Sequence, residues 1–531
     1  MGTDSEPILW NIPLAPFTRG INKNIMIKKL WKVGMLASLL LIAACTPKTE
    51  YTHALPKNAS VVMGMELDDM ARKAGLGDAS GQKVVGKLKS LLKGGLQGEA
   101  AQLAERIIGQ PSESGLSFDD KVYLFATPHT EALAILAKVT NESKLETLLK
   151  VLEKESLASP LREESGCRWT QVGGALCAFN NGTFLLLQPS KGDASGMKGT
   201  LLSLMRQKEG EGFASLSEFA KVEAEGNDIA SVVNLSAIPY EWTLPLRMGL
   251  SGDIRLEDVK YFVSANFEQG KVQVNTESLI QNPKILSFFD AMDKVLQPIG
   301  GKYMDFYPGN NLVWMGGNIQ GKELYHMLCQ NPAIKQALNN PVLPVDVEHI
   351  FSSIEGDFAM GYSTLQPRLF MMYADVTNSA FLQTFEDLRP LLALTGGQVV
   401  LENIDKDEYL LRTYEGYYWF GVKNNRFYVT NNRSWAAEAG RTYGASMGVK
   451  PWSADVKNHR LYASLNAAAL KGHRLPLTGD KQMNAAIVAL LSQCNYLNVS
   501  MTDARHGQME LALKDKNMNL LQMLVGVLEK F

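Results

Sequence analysis

The order of apolar and polar positions along the chain predicts a body built from short strands and amphipathic helices. Apolar residues alternate with polar ones or form short runs, and turn residues such as Gly173-Gly174 and Asn181-Gly182 separate these runs. Alternation of this kind is typical of strands, and two-residue turns of these types join antiparallel neighbours. Predicted strands lie near residues 60–67, 120–127, 131–139, 167–172, 175–180, 183–188 and 229–235, with a long hairpin over 258–279.

Apolar residues three and four positions apart predict helices between these hairpins. The first predicted helix has apolar positions from Val84 to Ile107 and several lysines on its polar face. A basic amphipathic helix can lie on an anionic membrane surface. A helix packed on the core with a solvated lysine face explains the same pattern, and we favour it. Further helices are predicted around residues 145–152, 194–207 and 285–296.

The same order of elements recurs once in the chain, at a spacing of about 235 residues. Val139-Thr140-Asn141 returns as Val376-Thr377-Asn378, and the turn at Asn180-Asn181 returns at Asn424-Asn425. This period is too long for a solenoid unit and predicts two copies of one domain. We therefore predict an α+β fold in two tandem copies, each a mainly antiparallel sheet with helices packed on it.

The pattern before residue 46 differs from that of the body and is typical of a secretory signal. Basic residues precede an apolar run from Val33 to Ala44, and small residues come directly before Cys45. An ordinary transmembrane helix is the alternative, but the run is shorter than the ~18 residues that such a helix needs. The ending Ile42-Ala43-Ala44-Cys45 is similar to the lipobox of bacterial lipoproteins. This similarity implies that Cys45 is lipidated and becomes the mature N-terminus.

These patterns divide the chain into four segments. Residues 1–45 are interpreted as an N-terminal extension from a start codon assigned too early, followed by a lipoprotein signal peptide beginning at Met26. Residues 46–56 are short, polar and proline-containing, which predicts a tether. Residues 57–300 are predicted to form copy 1 and residues 301–531 to form copy 2.

Composition supports a globular body and argues against a nucleic-acid partner. The chain is 46% hydrophobic and 20% charged, and its formal net charge is −2. A nucleic-acid-binding protein needs a basic field that this balance does not supply. No apolar stretch after the signal reaches bilayer length, so the predicted lipid is the membrane contact.

The cysteines after Cys45 are predicted to be small buried residues and not a disulfide framework. If Gly173-Gly174 forms a two-residue turn, Cys167 and Cys177 point to opposite faces of their hairpin, which excludes a bridge between them. An oxidising compartment leaves a bridge between more distant positions open, including Cys329 and Cys494.

One group of residues has side-chain types that could bind a metal or form a thiol–imidazole pair. His326 and Cys329 lie one helical turn apart, and Asp346, Glu348 and His349 follow. Apolar residues surround the first pair, and the spacing matches no metal motif, so a half-buried histidine on an amphipathic helix is favoured. We predict no catalytic residues, no bound metal and no cofactor, and therefore a protein that is not an enzyme.

The most aromatic segment of the chain is the candidate binding surface. If Asn424-Asn425 forms a two-residue turn, one face of the hairpin is wholly apolar and belongs to the core. The opposite face carries Tyr417, Trp419 and Tyr428, a set suited to stacking on a sugar or holding a partner chain. Aligned on the turns, Ala175 takes the position of Trp419, so the fold does not require these rings. The alternative, which we favour, is that other elements cover this face.

The lipobox, the segment from Leu55 to Val62 and the duplicated Val-Thr-Asn elements resemble an uncharacterised family of Bacteroidetes lipoproteins, a domain of unknown function. The resemblance covers the whole mature chain, and its motifs are structural. It implies a location in the cell envelope without implying an activity or functional residues. Cys45 is followed by Thr46-Pro47-Lys48 and not by the acidic run associated with surface export. This favours an outer-membrane protein that faces the periplasm.

Two functions from different classes are consistent with the sequence. The first is a lipid-anchored envelope protein with a binding or scaffolding role, whose partners are the membrane and an unknown envelope protein or glycan. The second is a hydrolase that acts on an envelope or dietary polymer through an unrecognised site. Converging carboxylates or a histidine beside a nucleophile in a deep cleft would favour the hydrolase.

Overall fold

The structure is a computed structural model that describes most of the chain after residue 49. The predicted signal and Cys45 lie outside the described residues. No helix in the described part of the chain is long and apolar enough to cross a membrane. The described residues are 50–95, 98–127, 132–189, 194–238, 255–339, 345–365, 368–470, 484, 487–488 and 490–530.

The strands of the described residues all belong to one sheet. In the first half of the body (residues 57–300) they are β1 Val61–Met65, β2 Val122–Thr127, β3 Ala132–Lys138, β4 Arg162–Glu164, β5 Cys167–Val172, β6 Ala175–Phe179, β7 Thr183–Pro189, β8 Ile229–Asn234, β9 Lys260–Glu268, β10 Lys271–Leu279 and β11 Leu296–Gln297. In the second half (residues 301–531) they are β12 Val313–Gln320, β13 Ile354–Leu365, β14 Arg368–Val376, β15 Val400–Asp405, β16 Glu408–Thr413, β17 Gly416–Lys423, β18 Arg426–Thr430, β19 Leu461–Asn466, β20 Cys494–Met501 and β21 His506–Leu513.

The helices lie between groups of strands, as the apolar periodicity predicts. Those of the first half are α1 Leu67–Lys73, α2 Ala79–Gly95, α3 Gly98–Gly109, α4 Glu142–Lys154, α5 Lys198–Met205, α6 Phe219–Glu223 and α7 Pro283–Val295. Those of the second half are α8 Gly321–Leu328, α9 Pro332–Leu338, α10 Val347–Ser353, α11 Gln383–Asp387, α12 Arg389–Ala393, α13 Arg433–Ala437 and α14 Leu520–Lys530. The single helix predicted from Val84 to Ile107 is wrong in one respect, because the structure has α2 and α3 there.

Every strand pairing in the sheet is antiparallel, which confirms the α+β class and the mainly antiparallel sheet. The first half runs β4-β5-β6-β7-β3-β2-β1-β8-β9-β10 from its edge. The second half runs β15-β16-β17-β18-β14-β13-β12-β19-β20-β21 from its own edge. β10 and β21 pair along Lys271–Glu277 and His506–Ala512, which joins the two half-sheets into one.

Helices pack on both faces of this sheet and connect its two halves. α3 and α4 pack over one end, and α11 and α12 pack over the other. In the middle, Phe288 of α7 shares a core cluster with Met327 of α8, and Met523 of α14 shares one with Val272 of β10. α14 also packs on α2. The last helix of each half therefore packs on the other half.

Residues beside two of the predicted segment boundaries pack across those boundaries. Tyr51 and Leu55, placed in the tether over residues 46–56, are buried in the first-half core, and the Tyr51 hydroxyl donates to the Lys121 carbonyl at 2.7 Å. Burial raises the pKa of Tyr51 well above its usual value, with nearby carboxylates as a smaller cause. Ile299, placed in copy 1, packs in a core cluster of the second half. Both contacts join residues that are distant in sequence.

Candidate functional site

The aromatic hairpin of β17 and β18 has the predicted register. Lys423 pairs with Arg426, so Asn424-Asn425 is a two-residue turn, and both asparagines have left-handed backbone angles with φ of 51° and 55°. Asparagine tolerates this conformation better than other residues with a Cβ, which is why it suits the turn. Phe420 and its neighbours on the apolar face lie in a core cluster under α11, as predicted.

The opposite face of the hairpin is only partly open. Tyr417 is 55% exposed, and its ring stacks beside that of half-buried Trp419, with the ring centroids 6.1 Å apart. Tyr428 is only 1% exposed, and its hydroxyl donates to the Glu408 carboxylate at 3.1 Å. Burial first, and the Glu408 carboxylate second, raise the pKa of Tyr428 well above its usual value. Tyr428 therefore does not belong to a binding surface, and this part of the prediction is wrong.

The helices that follow the two hairpins differ in length. In the first half the turn closes at Asn181-Gly182, so Leu176, and not Ala175 as predicted, takes the ladder position of Trp419. Leu176 is buried under α5, which has eight residues. The helix that follows β18 is α13, which has five residues. Tyr417 takes the position of Gly174, which is exposed in the first half as well, so the length of the helix does not decide its exposure.

The Tyr417 end of the hairpin extends further than its counterpart in the first half. β17 has eight residues, whereas β6 has five. The turn that precedes β17 carries Tyr414, which is 77% exposed. The first half has Gly173-Gly174 at this position. An exposed tyrosine ring in a longer hairpin contributes little to the core, so core packing does not explain Tyr414 and Tyr417.

An open groove of about 470 Å³ lies at this end of the sheet. It is bordered by Val400 and Arg412, which pair across β15 and β16, and Arg412 in turn pairs with Tyr417. Residues directly opposite each other in an antiparallel ladder share a face, so Tyr417 stands beside the groove. The volume is within the range of small-molecule sites. The groove is lined by Gly397, Gln398, Val400, Arg412, Thr413 and Tyr414.

The arginine at the groove is paired. The Arg412 guanidinium forms an ion pair with Glu402, whereas the ion pair of Lys423 with Glu408, at 2.6 Å, lies at the far end of β16. The sequence prediction missed Gln398, Arg412 and Tyr414. Counting outward from the turn at Tyr414-Glu415 would have placed Arg412 opposite Tyr417. No local signal places Gln398 there, because it comes from the loop after α12.

The candidate His and Cys residues lie on or beside α8 and α10, two helices that pack on each other. His326 is exposed on α8, and half-buried Cys329 follows the end of this helix. The Asp346 carboxylate accepts a hydrogen bond from the His349 backbone N–H at 2.8 Å and caps α10. Within the described ranges no group of three potential ligands could hold a metal ion.

The cysteines after Cys45 have free thiols, as predicted for the pair that the hairpin keeps apart. Cys177 lies opposite Thr170 in the β5–β6 ladder, which has no shift of register. Cys167 lies at the far end of β5. Three of the thiols are buried, whereas Cys329 is half-buried, so the prediction of four buried cysteines is wrong for Cys329.

Comparisons with known proteins identify a family. No curated protein matches the chain. Among solved structures, crystal form III of TP0453 is similar at 10% identity and a TM-score of 0.27, covering 47% of this chain and 88% of that chain. Crystal form IV of TP0453 is similar at 8% identity and a TM-score of 0.26, covering 43% and 81%. A family model described as "Domain of unknown function (DUF4836)" matches residues 51–521, and the chain belongs to this family.

Proposed function

We propose that this protein is a lipid-anchored envelope protein that binds a partner molecule through the open end of its sheet. The observation that carries the proposal is the exposed pair Tyr414 and Tyr417 beside a groove of about 470 Å³. Large aromatic residues on a surface, in contact with a polar groove, are typical of recognition sites. The predicted lipid on Cys45 would hold this surface at a membrane.

The electrostatics of the groove favour binding over hydrolysis. A general acid or nucleophile needs a carboxyl group whose pKa is shifted by burial or by a like charge. Glu402 lies at the groove but is ion-paired with Arg412, and its side chain is 42% exposed. This carboxylate has the surroundings of a structural ion pair.

The proposal includes two copies of one domain, residues 57–300 and 301–531. The two halves have the same order of strand pairings. In both, an asparagine after the Val-Thr pair accepts a hydrogen bond from the backbone that follows: Asn141 from Lys144 and Asn378 from Ala380. An experimental structure tests this by superposition of the halves. Unrelated topological positions for Val139-Thr140-Asn141 and Val376-Thr377-Asn378 would refute it.

The lipid anchor is tested by Cys45→Ser. We expect the variant to be released as a soluble form or to accumulate as an uncleaved precursor, because the acylated thiol is lost. Membrane fractionation and mass spectrometry of the N-terminus measure both outcomes, with Cys329→Ser as the control that retains the anchor. Normal membrane retention of Cys45→Ser without an acyl group would contradict the proposal. Protease protection in intact cells tests the expected periplasmic side of the outer membrane.

Binding through the groove is tested by capture from native envelope fractions. The wild-type protein and Tyr417→Ala are compared, with Val449→Ala as a control, since Val449 is an exposed residue outside the hairpin. We expect the wild type and the control to retain the same molecule and Tyr417→Ala to lose it. A molecule retained equally by all three proteins would contradict a role for this surface.

A further inference from the structure

We propose that the groove beside Tyr414 and Tyr417 recognises a neutral oligosaccharide. This inference rests on the proposed binding function and specifies the chemistry of the ligand. Three properties of the site support it: the exposed rings, the hydrogen-bonding groups and the balance of charge.

The exposed rings supply flat apolar contact. The face of an aromatic ring carries partial negative charge, and the C–H groups of a pyranose ring carry partial positive charge, so the two surfaces stack. Tyr417 is supported on one side by Trp419, which holds its ring in place at a centroid distance of 6.1 Å. The Tyr414 hydroxyl donates to the Glu415 carboxylate at 2.9 Å, which restrains the second ring. Restrained rings lose less conformational freedom on binding.

The polar groups of the groove match hydroxyl groups, which both donate and accept. Gln398 is exposed at the groove, and its amide offers two N–H donors and an acceptor oxygen. Arg412 has five N–H donors in a planar fork. In the described part of the chain its guanidinium donates to one partner, the Glu402 carboxylate, so N–H donors are left for a ligand. An amide and a guanidinium together can pair with adjacent sugar hydroxyls.

The charges and the strand geometry disfavour other ligand classes. The ion pair of Arg412 with Glu402 leaves no net positive charge to attract phosphates or acidic polymers. A peptide would add to the free edge of β15, but a shift of register between Asn403 and Asp405 interrupts this strand. Bulges of this kind hinder strand addition at an edge. A neutral ligand that stacks and hydrogen-bonds to side chains fits the site better.

The test is isothermal titration of the purified full chain with cellohexaose, maltohexaose and chitohexaose. We expect at least one hexasaccharide to bind, and we expect Tyr417→Ala and Tyr414→Ala each to weaken binding about tenfold, because each removes one stacking ring. Tyr417→Phe should bind like the wild type, since it keeps the ring. The matched control is Tyr418→Leu, on the same strand but the opposite face, which should also bind normally. Added salt should change the affinity little, because no net charge is involved.

Two results would overturn the inference. One is the failure of the wild type to bind any of the three hexasaccharides. The other is binding that survives both Tyr414→Ala and Tyr417→Ala, which places the saccharide elsewhere. Thermal unfolding of each variant shows that it is folded. If no hexasaccharide binds but capture from the envelope still depends on Tyr417, the saccharide assignment fails and the proposed binding function stands.

Discussion

At the scale of single residues, the two halves carry charges of opposite sign at one matched position, buried in the first half and half-buried in the second. β3 of the first half ends at Lys138, which is buried and ion-paired with Asp120 at 3.0 Å. The corresponding β14 of the second half carries Asp375, which accepts from the Tyr303 hydroxyl at 2.5 Å and forms an ion pair with Lys302. A buried charge is tolerated only with partners. The two halves therefore differ in the partners that stabilise the charge at this position.

Asp357 provides a test of this dependence on partners. Its buried carboxylate accepts from the backbone N–H groups of Gly300 and Gly301, at 2.9 and 2.8 Å, and from the Asn318 amide at 2.9 Å. Asp357→Ala leaves these donors unpaired, so we expect a loss of about 3 kcal/mol in the free energy of unfolding. Urea denaturation measures it. The exposed control Asp405→Ala should change stability by less than about 0.5 kcal/mol, and equal effects would contradict the role of Asp357.

The thiols are predicted to differ in reactivity. Burial raises the pKa of Cys177 to about 12, which keeps the thiol protonated at neutral and mildly alkaline pH, and only the thiolate is reactive. Half-buried Cys329 is more accessible. We expect a thiol reagent at mildly alkaline pH to modify Cys329 first and Cys177 only after unfolding in urea. Peptide mapping measures the order, and rapid labelling of Cys177 in the folded protein would contradict it.

At the scale of elements, local turn chemistry sets each hairpin, whereas neighbouring helices decide which of its faces is buried. The turn of β17–β18 has two asparagines in left-handed backbone angles, whereas in the turn of β6–β7 the Asn180 side chain accepts from the backbone N–H groups of Gly182 and Thr183. α5 covers the outer face of the first hairpin, and the shorter α13 follows the second. The candidate groove lies at the ends of β15 and β16, beside the loop after α12.

The turn of β17–β18 is predicted to tolerate glycine and to reject a β-branched residue. Asn425 has φ of 55°, a conformation that glycine adopts without cost and valine resists. We expect Asn425→Gly to match or exceed wild-type stability and Asn425→Val to lose about 1–2 kcal/mol. Chemical denaturation compares the three proteins. Equal stability of the valine and glycine variants would show that the turn is not formed as described.

At the scale of the whole molecule, the two halves share one sheet and two core clusters. The β10–β21 pairing continues the sheet from one half into the other. Core clusters on either side of this junction mix residues of both halves, such as Phe288 with Met327 and Val272 with Leu513. Shared cores and a shared ladder couple the stabilities of the parts that they join.

We therefore expect the full chain to unfold in one transition. Gln508 pairs with Asn275 across the junction, and Gln508→Pro removes a backbone donor from β21. The variant should unfold at a lower temperature, still in a single calorimetric transition. Residues 50–300 expressed alone, which keep Tyr51 and Leu55, should aggregate, because β10 becomes an open edge and the apolar side chains of α7 lose their cover. Two separate transitions in the full chain, or a stable soluble first half, would contradict the coupling.

How much of the structure could be predicted depends on how far apart the interacting residues are in sequence. The Asn424-Asn425 hairpin, its register and its apolar face follow from alternation and turn residues within one short segment. The helix break between α2 and α3 had a local signal that the prediction did not use, Gly94-Gly95 and Gly98, the last with φ of 56°. The loop that carries Gln398 to the groove has no comparable local signal. The candidate site is accordingly half predicted: Tyr417 and Trp419 were found, and Gln398, Arg412 and Tyr414 were not.

By itself the sequence determined the α+β class, the antiparallel hairpins and the turn chemistry, because each depends on side chains that are neighbours along the chain. Only the tertiary structure decided that β10 pairs with β21, that Tyr51 belongs to the core and that Tyr428 is buried while Tyr417 is exposed. These outcomes depend on packing between segments far apart in sequence. Any apolar strand or ring offers the same local pattern whether another segment covers it or not.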